Sequence, residues 1–314
     1  MIPHYLTPLL TTPLHPRTSA ANLLNQWGSW AGYTTPTGYG DEAMEYTAIR
    51  NAATLYDLCP MLKYRITGPD AAAYLNRLTL RDAGKLAPGT VQYTAWCDDE
   101  GKVLDDGTLF RLAVEDYRLC CQERHLPWFL DSALGFDVKI RDETTEIAAL
   151  SLQGPTSAAI VRLAGFDISG LKPFCMAVFE FQGLSLLISR TGFTADLGYE
   201  LWLQPEGALA PWDHLMERGR LHGLRPIGSN ALDIARIEAG FIIANMDFVP
   251  AEPAIREDRT RSPFELGLDW MLDWDKGGFC GRRALMAERD QQSARWALVA
   301  LDIDGNVSAE GALI

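Results

Sequence analysis

The sequence lacks the long apolar runs and the excess of basic residues that mark two large classes of protein. No apolar stretch approaches the roughly 20 residues that a membrane-spanning helix needs, and the opening MIPHYLTPLL has no basic region followed by an apolar run. The net charge of −13 disfavours nucleic-acid binding, because such binding depends on Lys and Arg that neutralise phosphates. We therefore expect a cytoplasmic protein with no membrane partner and no nucleic-acid partner.

Patterns for metal binding, nucleotide binding and nucleophilic catalysis are also missing. The 6 cysteines form neither a C-x-x-C pair nor a disulfide framework, which indicates reduced thiols. Among the 5 histidines only His214 and His222 share a predicted helix. They lie two helical turns apart, which is too far for both to bind one metal ion. No Gly-rich phosphate loop and no nucleophile elbow occurs. We expect no bound metal.

What the chain does contain is typical of a globular α+β protein. Its 314 residues, of which 47% are hydrophobic, suffice for two or three domains. Hairpins dominate the predicted strand connections and helices are interspersed, which favours antiparallel sheets over a doubly wound parallel sheet. We predict a helix over residues 18–30 and an extended segment over residues 55–67. A Gly-Pro helix start occurs twice, at Gly68-Pro69 and at Gly154-Pro155, and suggests a weak internal duplication.

The stretch from Gln92 to Arg111 is the most informative part of the sequence. It reads as two strands joined by an acidic turn that ends at Gly101, and it brings two aspartates, Asp105 and Asp106, into the second strand. Because side chains alternate along a strand, one carboxylate would face the core or a cleft and the other would face away. Residue preferences alone slightly favour a strand that starts later, with Asp105-Asp106-Gly107 forming a second turn.

A second candidate strand lies in the stretch RTGFTADLGYELW, from Arg190 to Trp202. It would place Glu200 and Trp202 on one face and Tyr199 and Leu201 on the other. A carboxylate beside an indole suits a flat heteroaromatic ligand, which stacks on the ring and donates N–H groups to the carboxylate. A solvated edge strand with Trp202 packed under a helix explains the pattern equally well.

Four motifs in the same order resemble the folate-dependent aminomethyltransferase family, the glycine-cleavage T-protein and its demethylase relatives. The resemblance extends from Trp30 to Leu285. The four motifs are Gln92-Tyr93 with Asp99-Glu100-Gly101 and Asp105-Asp106, then RTGFT with Gly198-Tyr199-Glu200, then SNALDIARIEAG, and then SPFELGLDWMLDWDKGGFCGRRAL.

The resemblance implies a tetrahydrofolate cofactor and an enzyme that moves a methyl or aminomethyl group from a small donor to folate N5. Asp106 takes the family's catalytic position beside the reactive folate nitrogens. The resemblance also implies that Tyr93, Glu200 and Trp270 line the pterin site and that Met61 lines the substrate pocket. Trp202, the candidate stacking residue of the second strand, completes the set of expected cofactor-binding residues. No protein partner is required in this interpretation.

Two departures from the T-protein pattern favour the demethylase branch and a changed folate-tail contact. The chain has Ala195-Asp196-Leu197-Gly198 where the T-protein has Gly-Glu-Asp-Gly, and it has Leu232 where the T-protein has an arginine that holds the folate tail.

The implied fold is a T-protein-like multidomain α+β structure. We expect a discontinuous folate-binding domain over residues 1–52 and 145–250, and a second antiparallel domain over residues 53–140. Residues 251–314 would form a connecting segment and the start of a C-terminal β-barrel domain that is cut short, with a strand over residues 296–303.

Two alternative functions from other classes stay open. One is a non-catalytic folate-binding regulator related to the iron–sulfur cluster maintenance factor, although that factor has a cysteine where this chain has Gly278. The other is a subunit of a flavin-dependent amine dehydrogenase, although the chain has no GxGxxG.

Overall fold

The fold is that of a computed structural model, which describes residues 9–252 and 254–301. The described part contains eight α-helices: α1 (His15–Ala21), α2 (Glu42–Asn51), α3 (Ala71–Leu78), α4 (Leu126–Ser132), α5 (Ser157–Leu163), α6 (Leu209–Gly219), α7 (Ser229–Glu238) and α8 (Arg282–Gln291). Its strands are β1 (Trp27–Trp30), β2 (Tyr33–Pro36), β3 (Thr54–Asp57), β4 (Leu62–Thr67), β5 (Thr90–Cys97), β6 (Val103–Ala113), β7 (Asp116–Cys121), β8 (Lys139–Asp142), β9 (Ala148–Gln153), β10 (Met176–Phe181), β11 (Leu184–Ser189), β12 (Gly198–Leu203) and β13 (Arg225–Pro226).

Two large sheets carry the architecture. The first sheet has the strand order β10-β11-β12-β9-β3-β13 and the second has the order β5-β6-β7-β4-β8. All of their pairings are antiparallel except the short one between β13 and β3. The predicted α+β class with antiparallel sheets is therefore confirmed.

Each sheet has helices on one face, and the opposite faces of the two sheets meet in a region that α2 and α7 also border. Leu201 of β12 shares a core with Ile160 of α5, whereas Leu119 of β7 shares a core with Leu75 of α3. The inner faces meet in a third cluster, where the rings of Phe110 and Trp202 pack edge to face with centroids 5.1 Å apart. We call this third cluster the seam, and it places strands β6 and β12 opposite each other.

The two Gly-Pro helix starts occupy equivalent places in the two sheets. Gly68 follows β4 and precedes α3, and Gly154 follows β9 and precedes α5. Both glycines have a positive φ, 132° and 123°, which residues other than glycine rarely adopt. A Cβ on Gly154 would lie 2.6 Å from the carbonyl oxygen of Ala52, so the close approach also requires glycine.

The helix predicted over residues 18–30 is wrong beyond Ala21. Helix α1 ends at Ala21, and Trp27–Trp30 forms β1, which pairs with β2. The reason is local competition at Asn22, whose side-chain amide donates to the Gln26 carbonyl at 2.9 Å and accepts the Gln26 N–H at 3.3 Å. These two bonds close a turn in place of further helix.

The extended segment predicted over residues 55–67 divides between the two sheets. Strand β3 belongs to the first sheet and β4 to the second, and the Asp57 carboxylate accepts the Cys59 N–H at 3.0 Å in the turn between them. The predicted domain division stays a proposal. Strand membership favours moving its first boundary from residue 52 to residue 58, because β3 pairs with β9.

The predicted strand over residues 296–303 is not formed over residues 296–301, and its last two residues lie outside the described part. Within the described residues no helix is long and apolar enough to cross a membrane. The same residues hold no group of three or more His, Cys, Asp or Glu side chains that could bind a metal ion. All six cysteines are free thiols.

The glycine after β9 provides a test of this fold. We expect Gly154→Ala to lower the free energy of unfolding by about 3 kcal/mol or more, because the new Cβ meets main-chain atoms that cannot move aside. Gly165→Ala is the matched control, since Gly165 also has positive φ but nothing lies within 4 Å of the position that an added Cβ would take, and it should cost about 1 kcal/mol. Urea unfolding followed by circular dichroism measures both. Equal losses would contradict the close approach.

Candidate active site

Strand β6 carries both aspartates within its regular pairing. The strand begins at Val103, and Asp105 and Asp106 pair with Trp96 and Ala95 of β5. The alternative of a late strand with a second turn at these residues is therefore wrong. The next residue must be glycine, because a Cβ on Gly107 would lie 2.1 Å from the Cys120 carbonyl oxygen where β6 and β7 approach closely.

Asp105 is fully buried and its carboxylate is surrounded by donors. One oxygen accepts the main-chain N–H of Asp106 at 2.9 Å. The other accepts the main-chain N–H of Glu123 at 3.0 Å and lies 3.1 Å from Nε2 of His125. The sequence does not reveal the histidine contact, because no local spacing links His125 to the aspartates of β6.

Asp106 lies on the opposite face of β6, as strand alternation predicts. It is half-buried, and the Tyr93 hydroxyl donates to its carboxylate at 2.8 Å. Burial first, and then the negative charge of Asp105, raise the pKa of Asp106 to about 8. A carboxyl group with such a pKa exchanges a proton near neutral pH, which suits proton handling.

An aromatic wall stands beside Asp106. The rings of Tyr93 and Trp270 lie with centroids 6.3 Å apart, and the Arg81 guanidinium sits 5.5 Å from the centre of the Trp270 ring. Trp270 is 59% exposed, so most of its surface is open to a ligand. Met61 lies in the turn between β3 and β4 and packs against the seam.

Glu200 and Trp202 share the inner face of β12, as predicted. The strand is central, between β11 and β9, so the interpretation as a solvated edge strand is wrong. Glu200 accepts the Thr191 hydroxyl at 2.6 Å. Burial raises the pKa of Glu200 to about 7, although the hydroxyls of Thr191 and Ser189 oppose the shift.

Trp202 is enclosed by the seam itself. Its ring is 2% exposed and packs on Phe110, with the Arg118 guanidinium 5.8 Å from the ring centre. The indole N–H donates to the Ser189 hydroxyl at 3.2 Å. Its predicted role as a stacking surface for the ligand stays a prediction, and its contacts show that it positions β12 against β6.

The seam brings Glu200 and Asp106 into one region. Asp106 precedes Phe110 on the same face of β6, and Glu200 precedes Trp202 on the same face of β12. Cys120 provides a second link, because it pairs with Thr108 of β6 and its thiol pKa is raised to about 12, mainly by burial and in part by Glu200. The two carboxyl groups therefore lie on the sheet faces that meet at the seam.

An open cleft of about 460 Å³ begins at the end of β7. It is lined by Ala31, Leu62, Gln122, Glu123, Arg124, His125, Asn245, Pro250 and Glu252. The segment after α7 that forms one wall is held by Arg236, whose guanidinium pairs with Asp233 and Asp247. Asp247 also contributes to the raised pKa of Asp106, after burial and Asp105. The cleft therefore adjoins Asp105 and Asp106.

Comparison with known proteins identifies the family and the fold. The family described as the GCVT N-terminal domain matches residues 15–276. The aminomethyltransferase of Streptomyces coelicolor is 34% identical over 272 residues, which are 85% of this chain and 71% of that protein. The trimethylamine-oxide aldolase of Ruegeria pomeroyi is 36% identical over 300 residues, which are 91% of this chain and 36% of that protein.

The fold has a solved counterpart. The match to the crystal structure of the glycine cleavage system aminomethyltransferase T from Bartonella henselae covers 90% of this chain and 76% of that chain, with a TM-score of 0.79 and 24% identity. The fold is thus that of a T-protein-like transferase. The chain belongs to the GCVT N-terminal domain family. The predicted family, the predicted T-protein-like fold and the prediction of an enzyme are confirmed.

The raised pKa of Asp106 predicts a pH-dependent stability difference. Between the ordinary value of 3.8 and about 8 the folded protein retains a proton that the unfolded chain releases. This stabilising contribution is complete below the ordinary pKa and is lost as the pH rises through about 8. On going from about pH 5 to about pH 9, the free energy of unfolding of Asp106→Asn should therefore rise relative to that of the unmodified protein by about 1–3 kcal/mol. This energy range allows for solvent screening of a half-buried group.

Urea unfolding at the two pH values measures this difference. Asp131→Asn serves as the control, because Asp131 is exposed on α4 and its replacement should give the same small change at both pH values. A constant difference for Asp106→Asn would show that its carboxyl group titrates in the ordinary range.

Proposed function

We propose that the chain is a tetrahydrofolate-dependent one-carbon transferase of the demethylase branch, which moves a methyl or aminomethyl group from a small donor to folate N5. The observation that carries this proposal is the half-buried Asp106 carboxyl group, held by Tyr93 and with a pKa near 8, in the same seam as the buried Glu200. Membership of the GCVT family supports it, since relatives in that family are named aminomethyltransferases.

The side chains around the seam fit a reduced pterin. Glu200 is 8% exposed, and within the described residues it forms no ion pair with Lys or Arg. A buried carboxylate in this state is best satisfied by further N–H donors, and the aminopyrimidine edge of a pterin offers them. The wall of Tyr93 and Trp270 supplies apolar ring surface.

Each residue then has a defined task. When bound, tetrahydrofolate supplies the nucleophilic nitrogen that accepts the one-carbon group. Glu200 orients the ligand through its carboxylate, and Trp270 covers it. Asp106 takes up a proton on its carboxylate, and the Tyr93 hydroxyl holds that carboxylate in place. The enzyme contributes chiefly proximity, orientation and this one proton-handling group.

The donor in this proposal is a small molecule, and no protein partner is required. The departure from the T-protein pattern at Ala195–Gly198 supports a demethylase, and the similarity to a trimethylamine-oxide aldolase makes methylated nitrogen compounds the first donors to try. The six free cysteines agree with the cytoplasmic location that we propose for the enzyme.

Turnover by the purified chain tests the proposed function. The protein is mixed with tetrahydrofolate and a panel of methylated amines, methoxyaromatics and sulfonium compounds, and 5-methyl- or 5,10-methylene-tetrahydrofolate is followed by mass spectrometry. We expect product with at least one donor. Binding of tetrahydrofolate without product from any donor would contradict the proposal and favour the non-catalytic folate-binding alternative.

Asp106 should be required for turnover and not for folding. Asp106→Asn keeps the side-chain shape but cannot take up the proton, so kcat should fall roughly a hundredfold or more while tetrahydrofolate binding changes little. The exposed Asp131→Asn should retain full kcat. An Asp106→Asn variant that turns over at the normal rate would remove Asp106 from the mechanism.

Glu200 should be required for cofactor affinity. Glu200→Gln loses a charge-assisted hydrogen bond worth about 1.5–3 kcal/mol, so the Kd for tetrahydrofolate should rise about tenfold or more. Glu206, exposed just after β12, gives the matched control Glu206→Gln with unchanged Kd. Calorimetry measures both. Equal affinities for the two variants would leave Glu200 with only a structural role.

A further inference from the structure

Asp105 directly precedes the proposed catalytic residue Asp106 in β6, and hydrogen-bond donors surround its carboxylate. It is 0% exposed and has three donors: two main-chain N–H groups, from Asp106 and Glu123, and the imidazole of His125. Asp106 has one side-chain donor, the Tyr93 hydroxyl. A carboxyl group with more donors is the more stable as an anion. The two neighbours are therefore unequal sites for a proton.

The imidazole of His125 is fixed in place. His125 is 3% exposed, and its ring packs edge-on against Trp96 with centroids 5.5 Å apart. Its main-chain N–H donates to the Tyr64 hydroxyl at 3.1 Å. Nε2 faces Asp105, while Nδ1 has no hydrogen-bond partner and lies 3.6 Å from a carboxylate oxygen of Glu252 at the rim of the cleft.

The contact between His125 and Asp105 depends on the position of the ring proton. His125 can donate to an anionic Asp105 only with hydrogen on Nε2, the nitrogen that lies 3.1 Å from the carboxylate oxygen. The donated bond stabilises the negative charge on Asp105. Since two adjacent carboxylates in a buried site cannot both ionise without a large cost, the remaining proton of the pair goes to the neighbour.

We propose that His125 is a positioning residue that, by donating from Nε2 to Asp105, keeps the negative charge of the pair on Asp105 and makes Asp106 the group that takes up and releases the proton. Without this donor the proton shifts toward Asp105, and Asp106 becomes a weaker base, because it no longer faces the full negative charge of its neighbour. The catalytic consequence rests on the proposed function. The location of the proton does not.

The other charged and titratable groups around the pair do not take over this task. They are Tyr93 on β5, Tyr64 on β4, Cys121 on β7, Glu123 and Arg124 beside His125, Arg81, and Asp247 and Glu252 from the segment after α7. The two arginines are directed at main-chain carbonyls: Arg81 at Tyr93, 3.1 Å away, and Arg124 at Ala31, 3.0 Å away. Among these described groups His125 alone donates a side-chain hydrogen bond to Asp105.

The test is a titration of the aspartate carboxyl groups by ¹³C NMR in the protein without folate, with the Asp106 signal assigned by its loss in Asp106→Asn. In the unmodified protein we expect Asp106 to titrate near 8. In His125→Leu its midpoint should fall by about one unit or more. His125→Gln, whose amide nitrogen reaches the position of Nε2, should restore the midpoint to within a few tenths of a unit.

Further variants complete the design. His125→Asn, whose amide is too short to reach Asp105, should behave like His125→Leu and replaces it if the leucine variant does not fold. His222→Gln, remote on the chain segment after α6, should leave the titration unchanged. In Asp105→Asn the Asp106 midpoint should return toward the ordinary range, and adding His125→Leu should then have no further effect.

An Asp106 midpoint that stays near 8 in His125→Leu or His125→Asn would overturn the proposal, as would a fall in His125→Gln equal to that in His125→Leu. The titration is independent of the proposed function. If no donor turns over and the midpoint still shifts as expected, the proposed function fails and the role of His125 stands. If a donor turns over, His125→Leu should lower kcat and move the pH-rate limb of Asp106 to lower pH with little change in KM.

Discussion

The edge-to-face contact between Phe110 and Trp202 joins the two sheets at the point on which the site depends. Such an aromatic pair adds about 0.5–1.5 kcal/mol beyond the area it buries. Its larger effect is geometric, because the centroid distance of 5.1 Å fixes β6 against β12. Asp106 lies on the same face of β6 as Phe110, and Glu200 lies on the same face of β12 as Trp202, so the contact also positions the two carboxyl groups.

Burial in this seam gives the carboxyl groups their chemistry. Desolvation is the first cause of the raised pKa in both, about 8 for Asp106 and about 7 for Glu200. Elsewhere in the interior the protein compensates such charge with cations, as in the buried pair of Arg118 and Glu143. At Asp106 and Glu200 it supplies hydroxyl donors, from Tyr93 and Thr191. The carboxyl groups thus remain able to exchange protons and to accept a ligand's N–H groups.

Features that depend on neighbours in the chain could be predicted from the sequence. The hairpin around Gly101, the opposite faces of Asp105 and Asp106, and the Gly-Pro helix starts all follow from turn chemistry and strand alternation. The errors have non-local causes or depend on side-chain competition. The helix predicted over residues 18–30 ends because the Asn22 amide bonds Gln26. The partnership of His125 with Asp105 depends on the register of the β6–β7 hairpin and on the path of the chain after β7, which the residue pattern does not specify.

A crystal structure of the chain with tetrahydrofolate tests the central claim most directly. We expect a pterin ring in the seam between β6 and β12, with its aminopyrimidine edge within hydrogen-bond distance of Glu200 and its reactive nitrogens beside Asp106. Trp270 should close over the ring. A pterin bound elsewhere on the protein, or one bound in the seam without contact to either carboxyl group, would contradict the account.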